Sequence, residues 1–485
     1  MSGKKTPSIR RNYTYNLIYQ IMTLLTPFLT TPYISRVLGP EGTGVQSYTN
    51  SVVQYFAVLA ALGTASYGQR EIARHRDQKG KMSRLFWEIQ ALCMLTTLTA
   101  LAAWVVVILR SDQYRVFYGV LTMTLIAVAF DISWFFGGLE QYGRITLRNI
   151  AIKLTGIVGL FLFVKERDDL LLYVTMLAGT GLLGNISVWG YLKGLVEAPE
   201  WKELRPFRHL KETMVYFIPT IATSVYTILD KTMLGWYTGN DKTQNGYYEY
   251  ATGFVNMAKI LILSFNAVMS ARMSYLFGLG KKEEIGRRIG ESLDFVLLLA
   301  MPLMLGLAAV AERFSPWFLG DGYRPVVQLL YVCAPLVLIV GLSDCMGSQI
   351  LTPGGKRAES GRVIVAGAVL NGVLNLLLIQ RFHAAGAAAA SLVAECLITG
   401  LYLWLSREYV SLGMLFRCGW KRLAGAVVMA IGVRFAGDAL AFLPGPFVTV
   451  IQVGTGAVIY GLALLVLRDS LILHRLRILV GKPLS

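Results

Sequence analysis

The chain has 485 residues, 55% hydrophobic and only 15% charged, with a formal net charge of +17 and a mean hydropathy of +0.53. A soluble domain carries about 25% charged residues, so a water-soluble fold of this size would have to expose much of its apolar content. Cys93, Cys333, Cys345, Cys396 and Cys418 form no close pair, which argues against a disulfide framework or a zinc site.

The N-terminal MSGKKTPSIRR is basic, and the apolar stretch after it is long and broken by prolines. It lacks a short core with a small-residue cleavage site and reads as a retained span. About fourteen apolar segments are long enough to span a bilayer. They lie near 13–37, 45–67, 85–109, 117–137, 150–164 (a short one), 170–192, 213–236, 248–276, 291–312, 326–351, 363–379, 386–405, 423–443 and 447–467. The predicted fold class is an all-α integral membrane protein, with two six-helix bundles in a parallel repeat and two C-terminal helices.

Alternate connections differ sharply in charge. The N-tail, the connections near 68–84, 138–149, 193–212, 277–290, 352–362 and 406–422, and the C-tail hold about 32 Lys and Arg, and the opposite set about 8. The basic excess marks cytoplasmic loops, so both termini are expected in the cytoplasm, and the net charge is explained by topology and anionic lipid, not nucleic acid. External connections are short, the longest being near 313–325. Nothing there is large enough for an outward catalytic lobe, so a polymerase or glycosyltransferase is disfavoured and no enzymatic activity is expected.

A long internal echo accompanies these spans. The first ends ISRVLG and the seventh LDKTMLG; the second reads YTNSVVQYFAVLA and the eighth YATGFVNMAKILI. A six-span unit repeated in one orientation implies two bundles with a substrate site between them. The expected divisions are 1–192 for the first bundle, 193–212 for an interfacial cytoplasmic linker, 213–405 for the second bundle, and 406–485 for two further helices and a tail. In the linker, Trp201 and the basic residues suit a headgroup region.

Polar residues recur at helical spacing in the repeated spans. Asn16, Gln20, Thr23, Pro27 and Thr30 follow one face of the first. Gln46, Asn50 and Gln54 mark the second, and Tyr216, Thr220, Thr223, Thr227 and Asp230 the seventh. Glu249, Thr252, Asn256, Lys259, Asn266 and Ser270 mark the eighth. Interhelical hydrogen bonding uses the same residue types, but Asp230 and Lys259 favour a wet cavity. Lys259 falls near the bilayer midplane, where a charge costs at least about 2.5–3.5 kcal/mol on insertion scales. Arg36, Lys231, Lys259, Arg272, Asn50 and Asn256 are the candidate substrate-binding residues; Asp230 and Glu249 are candidates for ion coupling. Arg36, and more so Arg70 and Arg272, also suit snorkelling to the interface. A cationic cavity fits an anionic head group, since Arg and Lys bind diphosphate oxygens by charge-assisted hydrogen bonds. Exporters of cationic drugs would want the opposite sign.

The run TPYISRVLGPEGTGVQSYTNSVVQYFAVLAALGTASYGQREIAR, together with ILDKTMLGWYTG at 228–239, resembles the polysaccharide biosynthesis proteins. These are the O-antigen and capsule repeat-unit flippases of the multidrug/oligosaccharidyl-lipid/polysaccharide exporter superfamily. The specific motifs cover about a quarter of the chain; the general architecture extends over all of it. Arg36, Gly39, Gly42 and Gly44 occupy the first-span motif, and Asp230 and Lys231 the seventh.

The resemblance implies a flippase moving undecaprenyl-diphosphate-linked oligosaccharide to the outer leaflet of a bacterial cytoplasmic membrane by alternating access. Surface polysaccharide polymerase and export machinery are the implied partners. Lipid II flippases and ion-coupled multidrug exporters are relatives and stay open as alternatives. No cofactor is expected beyond possible H+ or Na+ coupling. The sequence has no GxxxxGK[ST] run for ATP, and His75, His209, His383 and His474 lie in or near loops without a metal or catalytic arrangement.

Overall fold

A computed structural model describes the backbone of residues 9–469 and 471–473, with side chains at 9–21, 23–24, 142, 144–145, 147, 218–220, 222–223 and 225–226 outside the described set. Among the described residues the secondary structure is helical throughout. The helices are α1 (Ile9–Ala61), α2 (Thr64–His75), α3 (Lys79–Arg110), α4 (Arg115–Phe130), α5 (Ser133–Gly138), α6 (Tyr142–Phe163), α7 (Leu170–Val188) and α8 (Leu210–Tyr237). They continue with α9 (Thr243–Gly278), α10 (Lys282–Leu319), α11 (Pro325–Cys333), α12 (Leu336–Met346), α13 (Arg357–Leu405), α14 (Leu412–Ala439) and α15 (Gly445–Val466). Every expected span falls on a helical segment. Eight helical stretches of the described residues are long and apolar enough to cross a membrane, and the chain is an all-α, multi-pass membrane protein.

Two spans are joined within each of the longest helices. In α1 the break is Gly39, at φ 68° and ψ 179°, a conformation open to glycine at little steric cost. Pro40 then starts the second arm with its φ already suited to a first helical turn. In α13 the break is His383 (φ 49°, ψ −124°), where a side chain occupies the same unfavourable region.

Several of the sequence-based bounds need correcting, and two of them show the cause. The span expected at 150–164 is not short: α6 begins at Tyr142. Arg148 enters the helix because its guanidinium is used, donating to the Gly184 carbonyl (2.6 Å) and the Ser187 hydroxyl (3.1 Å) of α7. The span expected at 45–67 ends earlier, at Ala61. Gly63 turns the chain at φ 71° into the separate helix α2.

The chain folds as two compact units, Met1–Thr232 and Met233–Ser485. In the first, Phe86, Trp134, Phe135 and Phe136 form an aromatic core with Tyr67 and Ile72. Gly68 is required there, since a Cβ would collide with the Trp134 ring. A second core gathers Val53, Trp104, Tyr118, Leu125 and Val174. In the second unit, α14 and α15 pack on each other and on α10. Arg422 of α14, 1% exposed, fastens them by ion pairs to Asp294 of α10 (2.8 Å) and Asp469 (3.2 Å).

Candidate functional site

Within the first unit, the charged pair expected near the end of α8 sits against the second arm of α1. Asp230 is buried, and the Tyr55 ring hydroxyl of α1 faces both it and Thr232. The Thr232 hydroxyl donates to Ser51 Oγ at 2.9 Å. Asn50, Gln46 and Gln54 are half-buried on the same arm, as is Lys231 on α8, while Arg36 is exposed on the first arm. Arg167 approaches Gly39, its Nε 3.9 Å from the position of a Cβ there. The side chains of Asn16, Gln20, Thr23, Thr220 and Thr223 lie outside the described residues. Thr30 bonds back to the Thr26 carbonyl at 3.0 Å and Thr227 to Ser224 at 3.0 Å, so both hydroxyls donate within their own helices.

Lys259 lies near the middle of the 36-residue α9. It is half-buried and within electrostatic reach of Glu395 on α13 and Cys333 on α11. An opposite charge at this depth offsets part of the cost of removing an ammonium from water. The polar stripe on α9 divides into two parts. Toward its start, Glu249 is half-buried and Asn256 exposed; the Thr252 hydroxyl bonds to the Tyr248 carbonyl (2.7 Å). Further along, Asn266 is fully buried, and the Ser270 hydroxyl donates to the Ser348 carbonyl at 2.8 Å. Arg272 is exposed, 3.8 Å from Glu284, and lies 5.9 Å over the Tyr275 ring.

Three polar constellations escape the stripe pattern. In the first unit, Glu88 is fully buried near the start of α3. It accepts from Arg84 Nε (3.2 Å), the Arg205 backbone N–H (3.1 Å) and His209 Nε2 (2.8 Å), and pairs with Arg208 at 2.6 Å. The other His209 nitrogen, Nδ1, is 2.8 Å from the Tyr67 hydroxyl. Trp87 Nε1 donates to the Glu197 carbonyl (2.9 Å) and Ser83 Oγ accepts from the Glu197 N–H (3.0 Å). The connection expected to be a linker is thus bonded to α3 along its length, although Trp201 and Phe207 project outward, 71% and 67% exposed. His209, expected in or near a loop with no catalytic or metal arrangement, is a buried member of this cluster.

In the second unit, Asn371 Nδ2 donates to Ser391 Oγ (3.4 Å), and Asn375 Nδ2 to Asn371 Oδ1 (3.1 Å), all within α13. The Tyr248 hydroxyl of α9 reaches the same Ser391. The i,i+4 spacing of Asn371 and Asn375 is a visible signal in the sequence. The third constellation centres on Asp344 of α12, the one charged residue of LVLIVGLSDCM. Asn266 Nδ2 donates to Asp344 Oδ2 at 2.9 Å, and Gln349 Nε2 to Asn266 Oδ1 at 3.0 Å. Among the described residues, no group of three or more His, Cys, Asp or Glu could hold a metal ion.

Comparison with known proteins gives this geometry a context. A family model described as "Polysaccharide biosynthesis protein" matches residues 9–275, more than half of the chain. Over 406 residues the chain is 25% identical to the "Putative O-antigen transporter" of Escherichia coli (strain K12), covering 83% of this chain and 97% of that protein. The fold is similar to that of the solved "Lipid II flippase MurJ, inward closed conformation", with a TM-score of 0.72 and 14% identity over 95% of this chain and 99% of that one. It is also similar to an "Inward-facing conformation of a multidrug resistance MATE family transporter of the MOP superfamily", with a TM-score of 0.63 and 12% identity over 81% and 97% of the two chains. At these identities the last two likenesses are of fold alone.

Proposed function

Because the chain belongs to the polysaccharide biosynthesis protein family, we propose that it is a flippase for undecaprenyl-diphosphate-linked oligosaccharide in a bacterial cytoplasmic membrane. The repeat unit moves from the cytoplasmic to the outer leaflet by alternating access, supplying a surface polysaccharide polymerase and its export machinery. The observation that carries this reading is Lys259, a half-buried cation in the middle of a membrane helix. Such a residue is costly in hydrocarbon and marks a substrate path by default. An anionic diphosphate is the head group that a lysine here would attract. Support comes from the near full-length likeness to a protein named for O-antigen transport.

In this reading Lys259 attracts the diphosphate while the prenyl tail stays in lipid, and Lys231 and Arg36 are candidate contacts within the first unit. Asn50 and Asn256 hydrogen-bond the head group, and Arg272 attracts it at the helix end. Asp230 and Glu249 are assigned to a coupling proton or sodium ion. The test is Lys259→Ala beside Lys259→Arg in cells lacking the wild-type chain. With the alanine variant inserted at wild-type level, lipid-linked repeat units accumulate on the inner leaflet, and arginine restores part of the export. Full export by Lys259→Ala removes Lys259 from the substrate path. An overexpressing strain keeps its ordinary drug-resistance profile; a broadened profile favours a multidrug exporter instead.

A further inference from the structure

Asp344 lies inside the candidate span Pro325–Leu351, about 10 Å from its Leu351 end at ~1.5 Å per residue. Its carboxylate accepts one hydrogen bond, from Asn266 Nδ2 to Oδ2. That amide also donates to the Gly341 carbonyl at 3.2 Å, and Asn266 is in turn held by Gln349. Asn266 and Gln349 are both fully buried. Among the described residues, no Lys, Arg or His forms an ion pair with Asp344. The groups facing it are neutral or anionic when they titrate: Tyr402 from α13 and Cys345 from its own helix lie within electrostatic reach. From α9 comes the Asn266 amide, and from α10 the Val296 side chain beside Gly341.

The backbone changes type three residues beyond Asp344. Gly347–Leu351 forms one π-helical turn, closed by the Thr352 N–H on the Gly347 carbonyl at 3.0 Å. This turn closes the span at its Leu351 end, before the chain turns at 352–355, a place where π turns are common. Two oxygens on this turn, Gln349 Oε1 and Ser348 Oγ, are buried without a hydrogen-bond partner. Buried polar atoms are normally satisfied. The span carries a carboxylate with one hydrogen-bond donor and, among the described residues, no ion-pair partner.

We propose that Asp344, positioned by Asn266 and Gln349, takes up and releases a proton during the transport cycle. The proton, delivered by water, forms an O–H bond at Oδ1, the oxygen that holds no donor, while Oδ2 keeps accepting from Asn266. Protonation removes the charge that the span cannot otherwise neutralise; release restores it when the site is wet. The transport role rests on the flippase reading above, but the proton site itself does not.

Infrared difference spectroscopy on the purified full-length chain, stepped between about pH 5 and about pH 8, tests the site without substrate. The wild type gains a protonated-carboxyl component on acidification that is missing from the Asp344→Asn spectrum, and Asn266→Ala keeps that component with a displaced midpoint. Wild-type and Asp344→Asn difference spectra that superimpose overturn the proposal. In cells, Asp344→Asn inserts normally and loses export, and Asp344→Glu recovers part of it. Asp344→Asn that loses the component yet exports at wild-type level overturns the transport role. Should the wild type move no lipid-linked saccharide at all, the flippase reading fails, and the component still decides whether Asp344 binds a proton.

Discussion

Two carboxylates sit inside membrane-length helices of this protein under opposite conditions. Glu88 on α3 is surrounded by three basic side chains and a backbone N–H, with every near contact between 2.6 and 3.2 Å. Asp344 on α12 has a single amide. A buried anion with several charge-assisted donors is fixed in its charged form and serves as an anchor. One with a lone neutral donor leaves its charge state open. The difference separates the groups that hold the fold from those available to a transport cycle, and burial runs the same way, Glu88 being fully buried and Asp344 half-buried.

The comparison can be broken most directly at Glu88. Replacing it with Ala leaves Arg84, Arg208 and His209 without their shared acceptor; because Arg84 and Arg208 are 40% and 46% exposed and can rehydrate, the expected cost is that of hydrogen bonds to a charged group, about 1.5–3 kcal/mol. Thermal unfolding of the purified protein in detergent should show the largest drop of this set. Near-wild-type stability would mean that the cluster is not an anchor. Tyr67→Phe removes only the outer hydrogen bond to His209, with an expected loss of about 1 kcal/mol.

Asp241 sharpens the contrast as an exposed carboxylate outside the spans. The Thr243 hydroxyl and backbone N–H hold its carboxyl below the ordinary Asp value, the N–H at 2.8 Å. A depressed value in the folded state means that the contribution is complete above about pH 4 and is lost as pH falls further. Asp241→Ala should cost about 0.5 kcal/mol at neutral pH and flatten that acid-side loss, read as the pH dependence of the unfolding midpoint. The smallest stability change is expected for Asp344→Asn, which keeps shape and an acceptor for Asn266. A loss as large as that of Glu88→Ala would make Asp344 an anchor too.

Much of this architecture is legible in the sequence because the bilayer imposes one dominant signal, the length of apolar runs. That signal locates the segments seen as α3, α7, α9 and α15, and the glycine break at Gly39 lies between two expected spans. The bounds of α6 and α10 are obscured because Arg144, Arg148, Lys282 and Glu283 belong to the helices while reading as loop. The site is less legible. Periodicity marks which residues share a face, not what meets that face. It groups Asn256 with Asn266, one exposed and the other buried against α12. Asp344 is visible as a lone acid in an apolar run, but it belongs to no stripe. Glu88 and His209 lie 121 positions apart, and no local pattern joins them.

The junction at His209 has a mechanical corollary. Its imidazole is bonded on both nitrogens, to Glu88 and Tyr67, and the next residue, Leu210, opens α8. There is no slack between the tether and the helix. The stretch from 197 to 209 is therefore anchored to both α2 and α3 right up to the root of α8.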